Sequence, residues 1–184
     1  CEKGGQWERA LELLREARAA GVAPDVITYN AAIQACAALG KISAAEQLFG
    51  ELECNGTLHS DVVTFNAMLD VVGTLDPMRA QSLYLTAIER GLYPNSSGLH
   101  VSESYQIDLH DHSEGAAETA VRWWLEEVVS VRLTALKGSP PKRLTIITGW
   151  GRSRKQNQRG DVRGQVKSVL HGMEVPLIVS KNAG

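Results

Sequence analysis

Along residues 10–20, 44–54 and 78–90, apolar side chains recur at i, i+3 and i+4, which predicts three short amphipathic helices. The three stretches share one register at a spacing of 35 residues. Ala10, Ala45 and Ala80 align, as do Leu13, Leu48 and Leu83, and Leu14, Phe49 and Tyr84 fill the adjacent large apolar position. Gly21, Gly56 and Gly91 follow where a helix C-terminus favours a residue with positive φ. Asp76 and Pro77 supply an N-cap and a first-turn proline for the last of these helices. Beyond the second glycine the register slips by one residue, and Val26-Ile27-Thr28-Tyr29-Asn30-Ala31 then matches Val62-Val63-Thr64-Phe65-Asn66-Ala67. Each unit therefore reads as two short helices. A single pair cannot bury its own apolar face, so neighbours are expected to stack as a solenoid.

The pattern changes near residue 100. Residues 95–104 are polar and read as a linker, with the domain boundaries set at 1–95, 96–104 and 105–184. Tyr105 to His110 alternates as a strand does. Ala117, Val121, Trp124, Leu125, Val128 and Val131 then fall at helical spacing, predicting one helix over 114–133. A turn at 138–141, a β-rich run at 143–147, a helix over 162–171 and a strand at 176–179 complete the order. Strand–helix–strand–helix–strand in this length predicts a small α/β sandwich behind the helical solenoid.

Composition adds limits. The 184 residues, 43% hydrophobic and 22% charged, suit one or two small packed domains. No apolar run approaches the ~18 residues of a membrane span, so no membrane partner is expected. Three cysteines make a disulfide scaffold a poor reading. The net charge of −2 conceals two unlike halves. Residues 1–104 carry 7 Lys+Arg against 13 Asp+Glu, a net of −6, and residues 105–184 carry 12 against 8, a net of +4. The chain opens at Cys1 and closes just after an expected strand, so it reads as the end of a longer protein with any targeting segment upstream.

Two motifs carry chemistry. In Ile107-Asp108-Leu109-His110-Asp111-His112, the strand period sets Asp108 and His110 on one face, where a carboxylate orients an imidazole as a general base or metal site requires. His112 joins them if the chain stays extended. Taken alone, such a pair is more often a cap or a surface contact. The second motif is Thr148-Gly149-Trp150-Gly151-Arg152, whose glycines let backbone N–H groups approach a phosphate. It fits neither a dinucleotide fingerprint nor a Walker A loop. The basic stretch that follows, with Arg152, Arg154 and Lys155, suits a polyanion, and a solvated loop is the ordinary alternative.

Residues 1–95 resemble the pentatricopeptide repeat family in the V-x-T-[Y/F]-N-A helix start, the G-x-x-x-x-A-x-x-L-[F/Y] second helix and the G-x-x-P-[D/N] exit. The resemblance implies single-stranded RNA read at about one base per repeat. The implied readers are Asn30 with Asp61, and Asn66 with Asn95, with Ser60 an alternative to Asp61 because of the inserted residue. It implies a uridine preference for the first pair and a pyrimidine preference for the second. The competing reading is that asparagine caps a helix and Asp25 or Asp61 ends a loop, without any RNA role.

Residues 105–184 resemble the small MutS-related (Smr) family, which pairs a [Leu/Ile]-Asp-x-His strand with a [His/Thr]-Gly-x-Gly loop. That likeness implies a fold similar to the C-terminal domain of translation initiation factor three. It also implies nucleic-acid binding with endonuclease activity on RNA or DNA. Asp108 and His110 carry the catalytic expectation, and Thr148, Gly149 and Gly151 the binding one. Mg2+ is the divalent cation such chemistry would use, though the family pattern leaves a metal requirement open. The threonine in place of the loop histidine removes one imidazole, so a two-histidine mechanism is not implied. Together the two likenesses imply an organellar RNA-processing factor, in a plastid in preference to a mitochondrion. The alternative is a non-catalytic adaptor that docks RNA or other gene-expression proteins there.

Overall fold

The computed structural model describes residues 6–73, 75–96, 105–130, 144–148 and 161–175. The chain divides into two units, Cys1–Pro94 and Asn95–Gly184.

The first unit is helical throughout. Helices α1 (Gln6–Ala19), α2 (Val26–Ala38), α3 (Ile42–Cys54), α4 (Val62–Val72) and α5 (Pro77–Glu89) follow one another through short turns. The starts of α2, α4 and α5 are fixed by side-chain caps. Asp25 accepts the Thr28 amide at 2.8 Å, Asp76 accepts that of Arg79 at 3.0 Å, and Asp61 closes a reciprocal capping box with Thr64. Two of the three aligned glycines behave as expected. Gly21 (φ 74°) donates to Arg18 at 3.0 Å while Val22 donates to Ala17 at 2.9 Å, and Gly91 (φ 73°) repeats the arrangement. Gly56 does not. The α3 helix ends at Asn55 in extended geometry, with Thr57 turned back onto the Asn55 side chain, so the longer connection needs no left-handed residue. Gly40 (φ 65°) ends α2 in its place among the left-handed caps.

Apolar side chains close the stack. Ile33, Cys36, Ala45, Leu52, Phe65, Leu69, Ala80, Tyr84 and Ala87 are fully buried. Phe49 of α3 meets Phe65 of α4 edge-on at 5.5 Å, and Tyr84 of α5 packs on Tyr93 at 5.4 Å. Helices α1, α3 and α5 are tied by ion pairs: Arg18 to Glu51 at 2.6 Å, Arg79 to Glu46 at 2.5 Å and Arg90 to Glu53 at 2.5 Å.

In the second unit, β1 (Gln106–Asp108) and β2 (Thr145–Ile147) pair in parallel, Ile107 opposite Ile146 and Asp108 opposite Ile147. Between them runs α6 (Glu114–Trp123), capped by Ser113 and continued by a wider π-helical turn over Trp124–Val129. The departure from the regular helix expected over 114–133 falls at two adjacent indoles, Trp123 and Trp124, both buried. Helix α7 (Val162–Gly172) packs on α6, with Gln165 donating to Glu118 at 2.6 Å. Ile107, Leu109, Ala117, Val121, Val166 and Leu170 form the buried apolar interior. Ser96, placed at the start of the polar linker by its sequence, is 1% exposed and bonded within this unit. The expected turn at 138–141 and strand at 176–179 lie outside the described residues, as do residues 97–104. Among the described residues no helix is long and apolar enough to cross a membrane.

Candidate functional site

The first candidate site lies where α4 begins against α2. Asp61 is there because it caps α4, and Asn30 is there because it sits one turn into α2. The Asn30 amide nitrogen donates to Asp61 Oδ1 at 3.0 Å, so the two residues singled out as one reading pair are in direct contact. The Thr64 hydroxyl donates to Asn30 Oδ1 at 2.5 Å. Burial alone would raise the Asp61 carboxyl. Hydrogen bonds from the Thr64 amide and hydroxyl and from Asn30 outweigh it and hold the group below the usual carboxylate range. Asn30 is 7% exposed and Thr64 fully buried. The bonds from Asn30, the Thr64 amide and the Thr64 hydroxyl all fall on Asp61 Oδ1, and the Val63 amide adds a further backbone hydrogen bond to the carboxylate.

Ser60 has a different environment. It is buried, donates to Glu53 and accepts from Arg90 at 3.0 Å, within the ion pair that joins α3 to α5. Arg90 also holds Glu53 below the carboxylate range, against the opposing effect of burial. In the second pair, Asn66 Oδ1 accepts the Tyr93 hydroxyl at 2.8 Å. Asn95 is exposed, in a turn at the start of the second unit.

The second candidate site lies at the C-terminal edge of the parallel strands. His110 Nδ1–H donates to Asp108 Oδ1, and the His110 backbone amide donates to the same oxygen at 3.0 Å. The Asp108 side chain is 23% exposed and that of His110 41%, so the imidazole reaches solvent while its partner is partly sheltered. Leu109 donates to Ile147 at 2.8 Å, which aligns the two strand ends and puts Thr148 on the same edge as the Asp108–His110 turn. Such edges are where ligands bind in open parallel sheets.

His112 does not join this pair. The chain turns at Asp111 (φ 67°) and sends His112 inward. There its Nδ1 donates to the His110 carbonyl at 3.0 Å and its Nε2 lies 3.3 Å from Ser96 Oγ. Burial pushes this imidazole down to about 4, against weaker opposing effects from the His110 carbonyl and the charges of Asp108 and Asp111. Ser96 donates to the Asp108 carbonyl at 2.5 Å and so buttresses the turn that carries Asp108 and His110.

Gly149, Gly151, Arg152, Arg154 and Lys155 lie outside the described residues. Of the basic run, Arg163 and Lys167 are described, exposed and one turn apart on α7. Among the described residues no three His, Cys, Asp or Glu side chains gather as a metal site. Asp108 and His110 are bonded to each other, so these two residues do not by themselves form a protein-held Mg2+ site.

Comparison with known proteins bears on the first unit. Residues 24–74, from the turn before α2 to the end of α4, match the PPR repeat family. The matched residues lie wholly within the helical unit. A stretch of 110 residues, 57% of this chain, is 28% identical to pentatricopeptide repeat-containing protein At1g18900 of Arabidopsis thaliana. The same length is 27% identical to pentatricopeptide repeat-containing protein At1g74750 of that plant. The match spans 12% of the length of either relative. Within the PPR match, α2 and α4 are the two helices that carry Asn30, Asp61 and Thr64. Sequence reasoning named the first two and missed the hydroxyls of Thr64 and Tyr93, although Thr64 stands in the repeated V-x-T motif.

Proposed function

We propose that this chain is part of an organellar RNA-processing protein in which PPR repeats select bases on a single strand and the second unit engages the same class of ligand. The observation that carries the reading is the Asn30–Asp61 contact inside the family match. It brings an amide and a carboxylate side by side at the junction of two repeats. A donor beside an acceptor is what the edge of a pyrimidine requires. Recognition of single-stranded RNA is the function this arrangement supports best.

For the second unit we propose the Smr reading, with endonuclease activity. With Nδ1–H held by Asp108, His110 keeps its basic Nε2 toward solvent, the tautomer needed to take a proton from a ribose hydroxyl or a water. Thr148 opens the loop that would hold the phosphate through the N–H groups of Gly149 and Gly151, with Arg152, Arg154 and Lys155 beside it. The plastid is the compartment we assign to the full protein, and other gene-expression proteins are its proposed companions.

The test is cleavage of single-stranded RNA and DNA by the chain, with and without Mg2+, beside Asp108→Ala plus His110→Ala. Loss of a positioned base costs about 10²–10⁴-fold in rate. Cleavage that survives the double substitution intact removes the catalytic assignment. Binding without any cleavage by the unaltered chain leaves the adaptor reading instead.

A further inference from the structure

We propose that the hydroxyls of Thr64 and Tyr93 are positioning groups that lock the amides of Asn30 and Asn66 in one of their two orientations, and thereby set which base each repeat accepts. The inference rests on the RNA-reading proposal above and names the residues that decide its specificity.

An asparagine side chain has a donor end and an acceptor end of almost the same shape, and a flip of its amide exchanges them. A reader free to flip offers either end to a base and discriminates poorly. Both readers are tied at the acceptor end. Thr64, in the helix after Asn30, donates its hydroxyl to Asn30 Oδ1 at 2.5 Å. Tyr93, in the segment after α5, donates its hydroxyl to Asn66 Oδ1 at 2.8 Å. A hydroxyl thus meets the acceptor end of each reader, from the next repeat at Asn30 and from within the same repeat at Asn66.

The alternatives for Thr64 are weaker. Its single proton can also reach Asp61 Oδ1, at 2.9 Å, but that oxygen already accepts the Thr64 amide at 2.9 Å and Asn30 Nδ2 at 3.0 Å. The Asn30 oxygen is the shorter contact and has no other donor among the described residues. A flipped Asn30 would set its oxygen against the Asp61 carboxylate, so Asp61 and Thr64 enforce the same orientation from two sides. Tyr93 is 2% exposed and packed on Tyr84, a rigid mount for its hydroxyl. At Asn30 the consequence is an amide whose Nδ2 faces Asp61 and keeps a second proton that suits an acceptor-bearing pyrimidine edge.

The experiment uses the whole chain, 15N-labelled, titrated with short oligouridylate and oligoadenylate. Apparent affinity is read separately at the backbone amides of Ala31 and Ala67, one residue beyond each reader. Unaltered protein should favour oligouridylate at both positions, by about tenfold for one good base contact. Tyr93→Phe deletes one oxygen from a ring that stays packed. It should bring the ratio toward parity at Ala67 and leave it unchanged at Ala31. Thr64→Val should narrow the ratio at Ala31 in part, because Asp61 still opposes the flipped amide, and leave Ala67 unchanged. Thr64→Ser, which keeps the hydroxyl, should restore the ratio. A purely structural role would instead lower affinity for both oligonucleotides together. If Asn30→Ala and Asn66→Ala abolish the preference while Tyr93→Phe and Thr64→Val keep it, the lock is wrong and the readers stand. If the asparagine variants leave the preference unchanged, or the unaltered chain shows none, the reader assignment itself fails and the lock with it.

Discussion

Acidification should unfold the second unit in a pH window set by His112. In the folded chain this imidazole is buried and is pushed from 6.5 down to about 4. Once the unit unfolds it regains the ordinary value of ~6.5. Between those values the unfolded state binds the proton and the folded state does not, so stability rises with pH. The contribution is fully present above ~6.5 and is lost as pH falls toward about 4. Between about pH 8 and about pH 5 the loss is ~2 kcal/mol, and the full difference corresponds to ~3 kcal/mol. Set against the ~5–15 kcal/mol of a typical domain, that is a large share. The assay is urea unfolding at a series of pH values, followed by the amide resonances of Ala116 and Ala120 in α6, with the His112 ring proton titrated in parallel. His112→Gln keeps a neutral polar group at the site and should flatten this part of the pH dependence. Titration of the His112 ring near 6.5, or equal slopes for the two proteins, would refute the reasoning.

The first unit should respond in a lower window. Hydrogen bonds and ion pairs hold Glu51, Glu53 and Asp61 below the usual carboxylate values, so their stabilisation is present above ~4 and is lost as pH falls through their lowered folded values. Resonances of α2 to α4 should therefore persist at pH values where those of α6 have begun to weaken. Gly91→Ala forces an alanine into positive φ and should cost ~1–2 kcal/mol. Gly56→Ala meets no atom within 4 Å and needs no such backbone, so it should shift the urea midpoint little. Asp61→Ala removes the cap of α4 and should cost ~1 kcal/mol in urea unfolding, apart from any effect on RNA.

The helices were legible because their signals are local. Asp76 and Pro77 mark one start, and the 35-residue recurrence of alanine, leucine and glycine marks the buried faces. Gly56 shows the limit of alignment: one inserted residue changed how the helix ends, and the glycine kept its place without its conformation. The Asp108–His110 pairing was anticipated from a strand expected to reach His110, but β1 ends at Asp108 and the contact is made by the turn that follows. The fate of His112 was not, because it depends on a single left-handed residue, Asp111, that no periodicity announces. Ser96 looked like linker, since only the folded unit shows that its hydroxyl meets the Asp108 carbonyl. The hydroxyls on Asn30 and Asn66 were hidden for a similar reason. One comes from the next repeat and the other from a tyrosine with no counterpart in the motif.

The ion pairs of α3 bear on how such an array can be rebuilt. Glu46, Glu51 and Glu53 face arginines supplied from α1 and from α5 with its C-cap, so at these contacts the middle helix supplies the anions and its neighbours the cations. Each exposed pair is worth little, about 0.2–1 kcal/mol. Their pattern, however, gives the repeats an order. Duplicating the α3 unit beside itself would set glutamate against glutamate, although the backbones would still stack. The repeats are interchangeable as shapes but not as charges. A shuffled array needs its acidic and basic helices alternated before any choice of base-reading residues is made.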